Sequence, residues 1–210
     1  LWMGAACGSE ACIANVLRNN IKYGNMEILE NSYGISLRSL ILFAEKLYPN
    51  LTPMKAALKA ISIILFKLEG QIIMRHSEYN MDDRLLLDKM DLGKGTVCIE
   101  GQEYDLNDTY FPTIDFKQPY VLSEEEQKVM EDLRASFRNS HVLRDHVEFL
   151  YEKGSIYRVY NGNLLFHGCI PLDENGNLDG IQIAEKFYCG KEYMDYAQRV
   201  ARLAFYQGTR

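Results

Sequence analysis

The 210-residue sequence predicts an α+β fold that is rich in helices. Apolar residues recur at the three- and four-residue spacing of amphipathic helices through much of the chain. Elsewhere, short apolar runs are joined by turn residues. The clearest case is Asn161-Gly162, which is typical of a two-stranded hairpin. Because helices and strands do not alternate along the chain, a doubly wound parallel sheet is not expected.

The first helices are predicted from their apolar spacing and their end signals. A helix over 4–23 ends at Gly24, where a C-terminal glycine is favoured. Thr52-Pro53 begins a long helix over 54–75 that is apolar on most sides and is therefore expected to be buried. The other predicted elements are a helix over 37–48 capped by Ser36, a short helix over 81–90, a hairpin near 95–106, helices over 124–139 and 142–153, a hairpin over 156–167 and a last helix over about 190–206.

The composition excludes several classes of protein. The chain carries 23 basic and 29 acidic residues with no basic block, so a nucleic-acid partner is not expected. Its longest apolar runs are shorter than the roughly 20 residues of a membrane span, so no membrane partner is expected either. Its five cysteines are an odd number, and Cys7, Cys12 and Cys98 lie among small or apolar residues. They are expected to be reduced, buried thiols of a cytoplasmic protein.

The chain begins at Leu1-Trp2-Met3 without an initiator methionine or a polar lead-in, and it ends soon after a strong helix. We therefore expect it to be an internal piece of a longer protein.

Among the four histidines, His167 is the candidate for a metal ligand or a general base. It ends an apolar strand and precedes Gly168, which leaves room for a ligand beside the imidazole. A metal ligand or general base and a buried structural histidine are both consistent with this position. His76, His141 and His146 lie in charged, helical surroundings and are expected at the surface.

The cysteines form no convincing site in the sequence. Cys7 and Cys12 do not share a helix face, which argues against a metal pair. His167 and Cys169 lie two residues apart like a base and a nucleophile, but a core cysteine is favoured. No glycine-rich phosphate loop, zinc cluster or catalytic triad is present in the sequence.

Several long segments resemble the class 3 fructose-1,6-bisphosphatases of bacteria, and residues 164–171 (LLFHGCIP) resemble the strand-His-Gly-x-x-Pro element of the metallophosphoesterases. The segments that carry the narrower resemblance are 1–16 (LWMGAACGSEACIANV), 66–73 (FKLEGQII), 81–89 (MDDRLLLDK), 108–114 (DTYFPTI) and 160–171 (YNGNLLFHGCIP).

The resemblance implies hydrolysis of the 1-phosphate of fructose 1,6-bisphosphate in gluconeogenesis, with Mn²⁺ as the metal. In such enzymes two ions bind the phosphoryl oxygens and activate a water molecule. Of the family's metal-binding motifs only the His-Gly element is present, so His167 alone is carried over as a metal ligand. The other ligands are expected before Leu1 and after Arg210. Because one histidine cannot hold two such ions, the 210-residue chain alone is expected to be inactive.

The resemblance also implies a domain organisation. Residues 1–24 and 141–210 are expected to belong to a metallophosphoesterase α/β sandwich, and 25–140 to a large, mainly helical insertion. The insertion is a candidate for covering the active site, for a subunit interface in a homo-oligomer, or for binding small-molecule effectors such as phosphoenolpyruvate and AMP. Arg75, Arg84 and Lys89 are candidates for contacting the sugar bisphosphate substrate, although solvated helix faces are favoured.

The sequence is also consistent with two other functions. A phosphoprotein phosphatase-like enzyme shares the His-Gly element, and a non-catalytic helical interaction or regulatory module is consistent with the missing ligands.

Overall fold

The computed structural model describes residues 1–168 and 170–207, and the chain divides into two compact units, Leu1–Leu143 and Arg144–Arg210. The helices of the first unit are α1 (Trp2–Ala6), α2 (Glu10–Lys22), α3 (Arg38–Leu47), α4 (Pro53–Arg75) and α5 (Glu124–Asn139). The division falls within α6 (His141–Lys153).

The long helix α4 is the centre of the first unit, since α2 and α3 both pack against it and α5 packs against α2 and α3. It is buried along most of its length. Pro53 occupies its first turn, where a missing N–H leaves no hydrogen bond unmade. The prediction of a long, buried helix from residue 54 to 75 is therefore confirmed.

The predicted single helix over 4–23 is wrong, because the segment forms two helices. Gly8 adopts the left-handed conformation, with φ of 85°, which ends α1. The Ser9 hydroxyl then accepts a hydrogen bond from the Cys12 amide at 3.4 Å and caps α2. Gly24 follows α2 with φ of 71°, as predicted for a glycine at the end of a helix.

A small antiparallel sheet lies between α4 and α5 in the sequence. Its strands are β1 (Met90–Asp91), β2 (Thr96–Ile99) and β3 (Gln102–Asp105), in that order, so the predicted hairpin is confirmed. The predicted helix over 81–90 is wrong. That segment forms two 3₁₀ turns, Asp82–Arg84 and Leu87–Lys89. The short turns allow the Leu87 side chain to be buried in the core beside Ile63.

Besides residues 144–153 of α6, the described residues of the second unit form two hairpins and a further helix. The elements are β4 (Tyr157–Tyr160), β5 (Asn163–Phe166), β6 (Gly180–Ile183), β7 (Lys186–Cys189) and α7 (Gly190–Gln207). The β4–β5 hairpin turns at Asn161-Gly162, where both residues have positive φ, and this prediction is confirmed. The β6–β7 hairpin was not predicted, because its turn at Ala184 contains neither glycine nor asparagine.

The mixture of helices and small antiparallel sheets confirms the helix-rich α+β class. The described strands form three separate sheets of two or three strands, so the described residues do not themselves build the central sheets of an α/β sandwich. None of the helices in the described ranges combines the length and apolarity that crossing a membrane requires.

Candidate functional site

His167 lies directly after β5 and is exposed to solvent. The last pair of the hairpin joins Tyr157 to Phe166, and Gly168 then turns the chain with φ of 98°. Within the residues that the structure describes, the His167 imidazole is therefore accessible to a ligand.

Within residues 1–168 and 170–207, no three His, Cys, Asp or Glu side chains converge as a metal site would require. His167 is thus one candidate ligand, and the described residues do not by themselves fit a Mn²⁺ ion. Cys7, Cys12, Cys98 and Cys189 are reduced. Cys7 and Cys12 are only partly buried, and the expected burial is wrong for Cys98, which is exposed on β2. Cys169 lies outside the described residues.

The other predicted candidates lie at the surface. His141 and His146 are exposed on α6, and the partly exposed His76 stacks on Tyr79 with ring centroids 4.8 Å apart. Arg75 and Arg84 are exposed as well. The ammonium of Lys89 donates a hydrogen bond to the Asp83 carbonyl oxygen at 2.5 Å.

The hairpin that leads to His167 has one apolar face. The register places Tyr157, Val159, Leu164 and Phe166 on the same side of the two strands. Val159 is 63% exposed, and Leu164 and Phe166 are exposed as well. The base of the hairpin is held by α7, since the Tyr157 hydroxyl donates to Asp195 Oδ1 at 2.8 Å.

A polar cluster that the sequence did not reveal lies along one stripe of α4. Residues 107–122, here called the strap, follow this stripe between β3 and α5. Lys59 Nζ lies 2.5 Å from Asp108 Oδ2, Lys67 Nζ donates to the Thr113 carbonyl oxygen at 2.6 Å, and Gln71 Nε2 donates to the Tyr120 carbonyl oxygen at 2.7 Å. The spacing of eight and four residues places the three α4 side chains on one face.

The centre of this cluster is a buried ion pair. Lys67 Nζ lies 2.7 Å from Glu126 Oε2, and the exposed fractions of the two side chains are 0% and 1%. The same oxygen accepts the Ser123 amide at 2.8 Å, while the Ser123 hydroxyl accepts the Glu126 amide at 3.2 Å. This reciprocal capping box begins α5 and fixes the Glu126 carboxylate against α4.

A cavity of about 320 Å³ lies beside the beginning of the strap, with Tyr48, Lys59, Asp108 and Tyr110 among its lining residues. The Lys59 ammonium lies 4.5 Å from the centre of the Tyr48 ring. The hydrogen bond from Lys59 lowers the pKa of Asp108 below its usual value. Burial, reinforced by the negative charges of Glu126 and Asp108, raises the pKa of Tyr48 to about 12. Tyr48 is therefore a neutral phenol at physiological pH.

Comparison with known proteins shows the family to which the chain belongs. The sequence model described as Firmicute fructose-1,6-bisphosphatase matches residues 1–210. The chain belongs to this family, which confirms the resemblance predicted from its motifs.

The chain is similar to several curated members of this family. The class 3 fructose-1,6-bisphosphatase of Clostridium novyi is 48% identical over 225 residues, and that of Listeria innocua is 46% identical over 225 residues. Each alignment covers 98% of this chain but 34% of the relative. The chain thus spans about a third of the length of these curated relatives. No solved structure matches it.

Proposed function

We propose that this chain is part of a phosphatase that releases the 1-phosphate of fructose 1,6-bisphosphate. The observation that carries the proposal is the family match across residues 1–210 together with relatives named class 3 fructose-1,6-bisphosphatase. The substrate would be a sugar bisphosphate, and the reaction would serve gluconeogenesis. The reduced cysteines are consistent with a cytoplasmic location.

We propose that His167 is one ligand of a Mn²⁺ site and that the remaining ligands come from polypeptide outside residues 1–210. Its accessible imidazole at the end of a strand supports this role. The described residues contain no convergent group of three His, Cys, Asp or Glu side chains, which supports ligands supplied by polypeptide outside them.

The proposal extends to the domain organisation. Residues 1–24 and 141–210 would contribute to a metallophosphoesterase α/β sandwich, and 25–140 would form its helical insertion. The apolar face of the β4–β5 hairpin supports the assignment of residues 141–210, because a two-stranded hairpin is marginally stable alone and its exposed Val159, Leu164 and Phe166 would be covered in a larger sheet.

The test is phosphate release by the protein made from the complete reading frame that encodes this chain, with Mn²⁺ present. Fructose 1,6-bisphosphate and a phosphopeptide are compared as substrates. Release from fructose 1,6-bisphosphate is expected, with fructose 6-phosphate as the product. Release from the phosphopeptide alone would indicate a phosphoprotein phosphatase, and release from neither would favour a non-catalytic module. The 210-residue chain by itself is expected to release no phosphate from either.

A further inference from the structure

We propose that the strap, residues 107–122, detaches from α4 as one cooperative unit while α2, α3 and α4 stay folded, and that the Lys67–Glu126 ion pair is its latch. The strap is a conformational device of the first unit, and the inference does not depend on the proposed phosphatase activity.

The strap is attached to α4 by side chains and not by a backbone ladder. Three of its residues, Asp108, Thr113 and Tyr120, are bound by α4 side chains, and its own backbone hydrogen bonds close local turns such as that from the Ile114 amide to the Phe111 carbonyl oxygen. Because the α4 backbone takes no part in these contacts, their loss leaves its helical hydrogen bonds intact.

The latch joins the middle of the strap to the beginning of α5. Lys67 binds the strap at Thr113 and, through the buried Glu126, the first turn of α5 where the strap ends. An ion pair at the surface is screened by solvent and contributes little to stability. Removing one partner of a buried ion pair is costly, because it leaves an uncompensated buried charge. Lys67 and Glu126 should therefore control the attachment far more strongly than the part-exposed Lys59 and Asp108.

The strap also covers part of the apolar core. Its Ile114 and Tyr120 pack in one cluster with Ile63 of α4 and with Leu87. Detachment would uncover Ile63 and Leu87 together, since both strap residues move with the same segment. This shared cluster is the reason to expect a single opening step in place of independent fraying.

The experiment is amide hydrogen exchange of the 210-residue chain, read by mass spectrometry, for Glu126→Gln and for the matched control Glu125→Gln. Glu125 is the preceding residue and makes an exposed ion pair with Lys46. In Glu126→Gln we expect exchange of strap amides to accelerate by a common factor of about tenfold or more, with α2 and α4 changed less than about twofold. The control should leave every segment unchanged.

Three results would overturn the inference: equal acceleration in α2, α4 and the strap, acceleration confined to residues beside position 126, or no difference from Glu125→Gln. If Glu126→Gln does not fold, exchange of the unsubstituted chain in low concentrations of urea decides the question. The strap amides should then share one opening with a smaller urea dependence than that of α4. A common opening of the strap and α4 would contradict the proposal.

Discussion

The ring of Tyr120 lies directly on Gly70, where a β-carbon built on the glycine would lie 2.1 Å from Tyr120 Cδ1. A hydrogen at position 70 therefore lets the strap approach α4 closely enough for the Tyr120 hydroxyl to donate to Asp88 Oδ1 at 2.6 Å and to accept the Leu87 amide at 3.2 Å. Glycine is unfavourable inside a helix by about 1 kcal/mol relative to alanine, so its presence in α4 reflects this packing.

Gly70→Ala is expected to lower the free energy of unfolding of the first unit by about 2 kcal/mol. The gain in helix propensity is about 1 kcal/mol, but displacing a packed ring costs more, and overpacking typically costs about 1–3 kcal/mol before lost hydrogen bonds are counted. Urea unfolding measures the change. In a Tyr120→Ala background, Gly70→Ala should instead be neutral or stabilising, and stabilisation in both backgrounds would contradict the explanation.

The sequence predicted the elements whose signals are local. The Asn161-Gly162 turn and the proline at the start of α4 each act through one or two residues, and both are found as expected. The break at Gly8 was missed because the flanking residues keep the apolar spacing of one helix. The β6–β7 hairpin was missed because Ala184, with φ of 52°, carries no sign of a turn.

The long-range polar contacts could not be predicted from the sequence. Lys67 occurs in an apolar helix, where a lysine normally extends to solvent, and its partner Glu126 lies 59 residues away. His167 could be named as a candidate from the sequence because its strand and the following glycine are adjacent in the chain, and its role as a metal ligand stays a prediction. Side chains that would complete a metal site with it were not found, because the described residues contain no such group.

Tyr48 and Tyr120 provide a matched pair of substitutions. Among the described residues the buried Tyr48 hydroxyl has no hydrogen-bond partner, so Tyr48→Phe removes an unsatisfied group and should be neutral or stabilising by about 1 kcal/mol. Tyr120→Phe removes two hydrogen bonds, one of them to a carboxylate, and should be destabilising by about 2 kcal/mol. Urea midpoints of the two variants test this, and equal losses would contradict the assignment.

The same tyrosine predicts a dependence on alkaline pH. Because the pKa of Tyr48 is raised from 10.0 to about 12 in the folded chain, the unfolded chain loses this proton first as pH rises. The neutral Tyr48 phenol therefore contributes fully to the free energy of unfolding below pH 10. Between pH 10 and pH 12 this contribution decreases by about 1.4 kcal/mol per pH unit. The stability of Tyr48→Phe relative to the unsubstituted chain should therefore increase above pH 10. A constant difference from pH 8 to 11.5 would contradict the raised pKa.

Ala184 has a left-handed backbone that glycine adopts without strain. A non-glycine residue in this conformation costs about 1–2 kcal/mol, part of which glycine offsets by its greater entropy when unfolded. Ala184→Gly should therefore raise the stability of the second unit by about 0.5–1 kcal/mol. Ala197→Gly, inside α7, is the control and should lower it by about 1 kcal/mol. Thermal unfolding compares the two, and similar losses would show that the turn is unstrained.

His167 is the decisive residue for the proposed phosphatase. In the protein made from the complete reading frame, His167→Ala should lower both the Mn²⁺ content, measured by elemental analysis, and the rate of phosphate release. Loss of a metal ligand removes several kcal/mol of transition-state stabilisation, so the rate should fall by about 100-fold or more. His76→Ala and His141→Ala change surface histidines and should keep both properties. Full Mn²⁺ content with unchanged activity in His167→Ala would exclude a ligand role, whereas normal Mn²⁺ content with reduced activity would assign His167 to substrate contact.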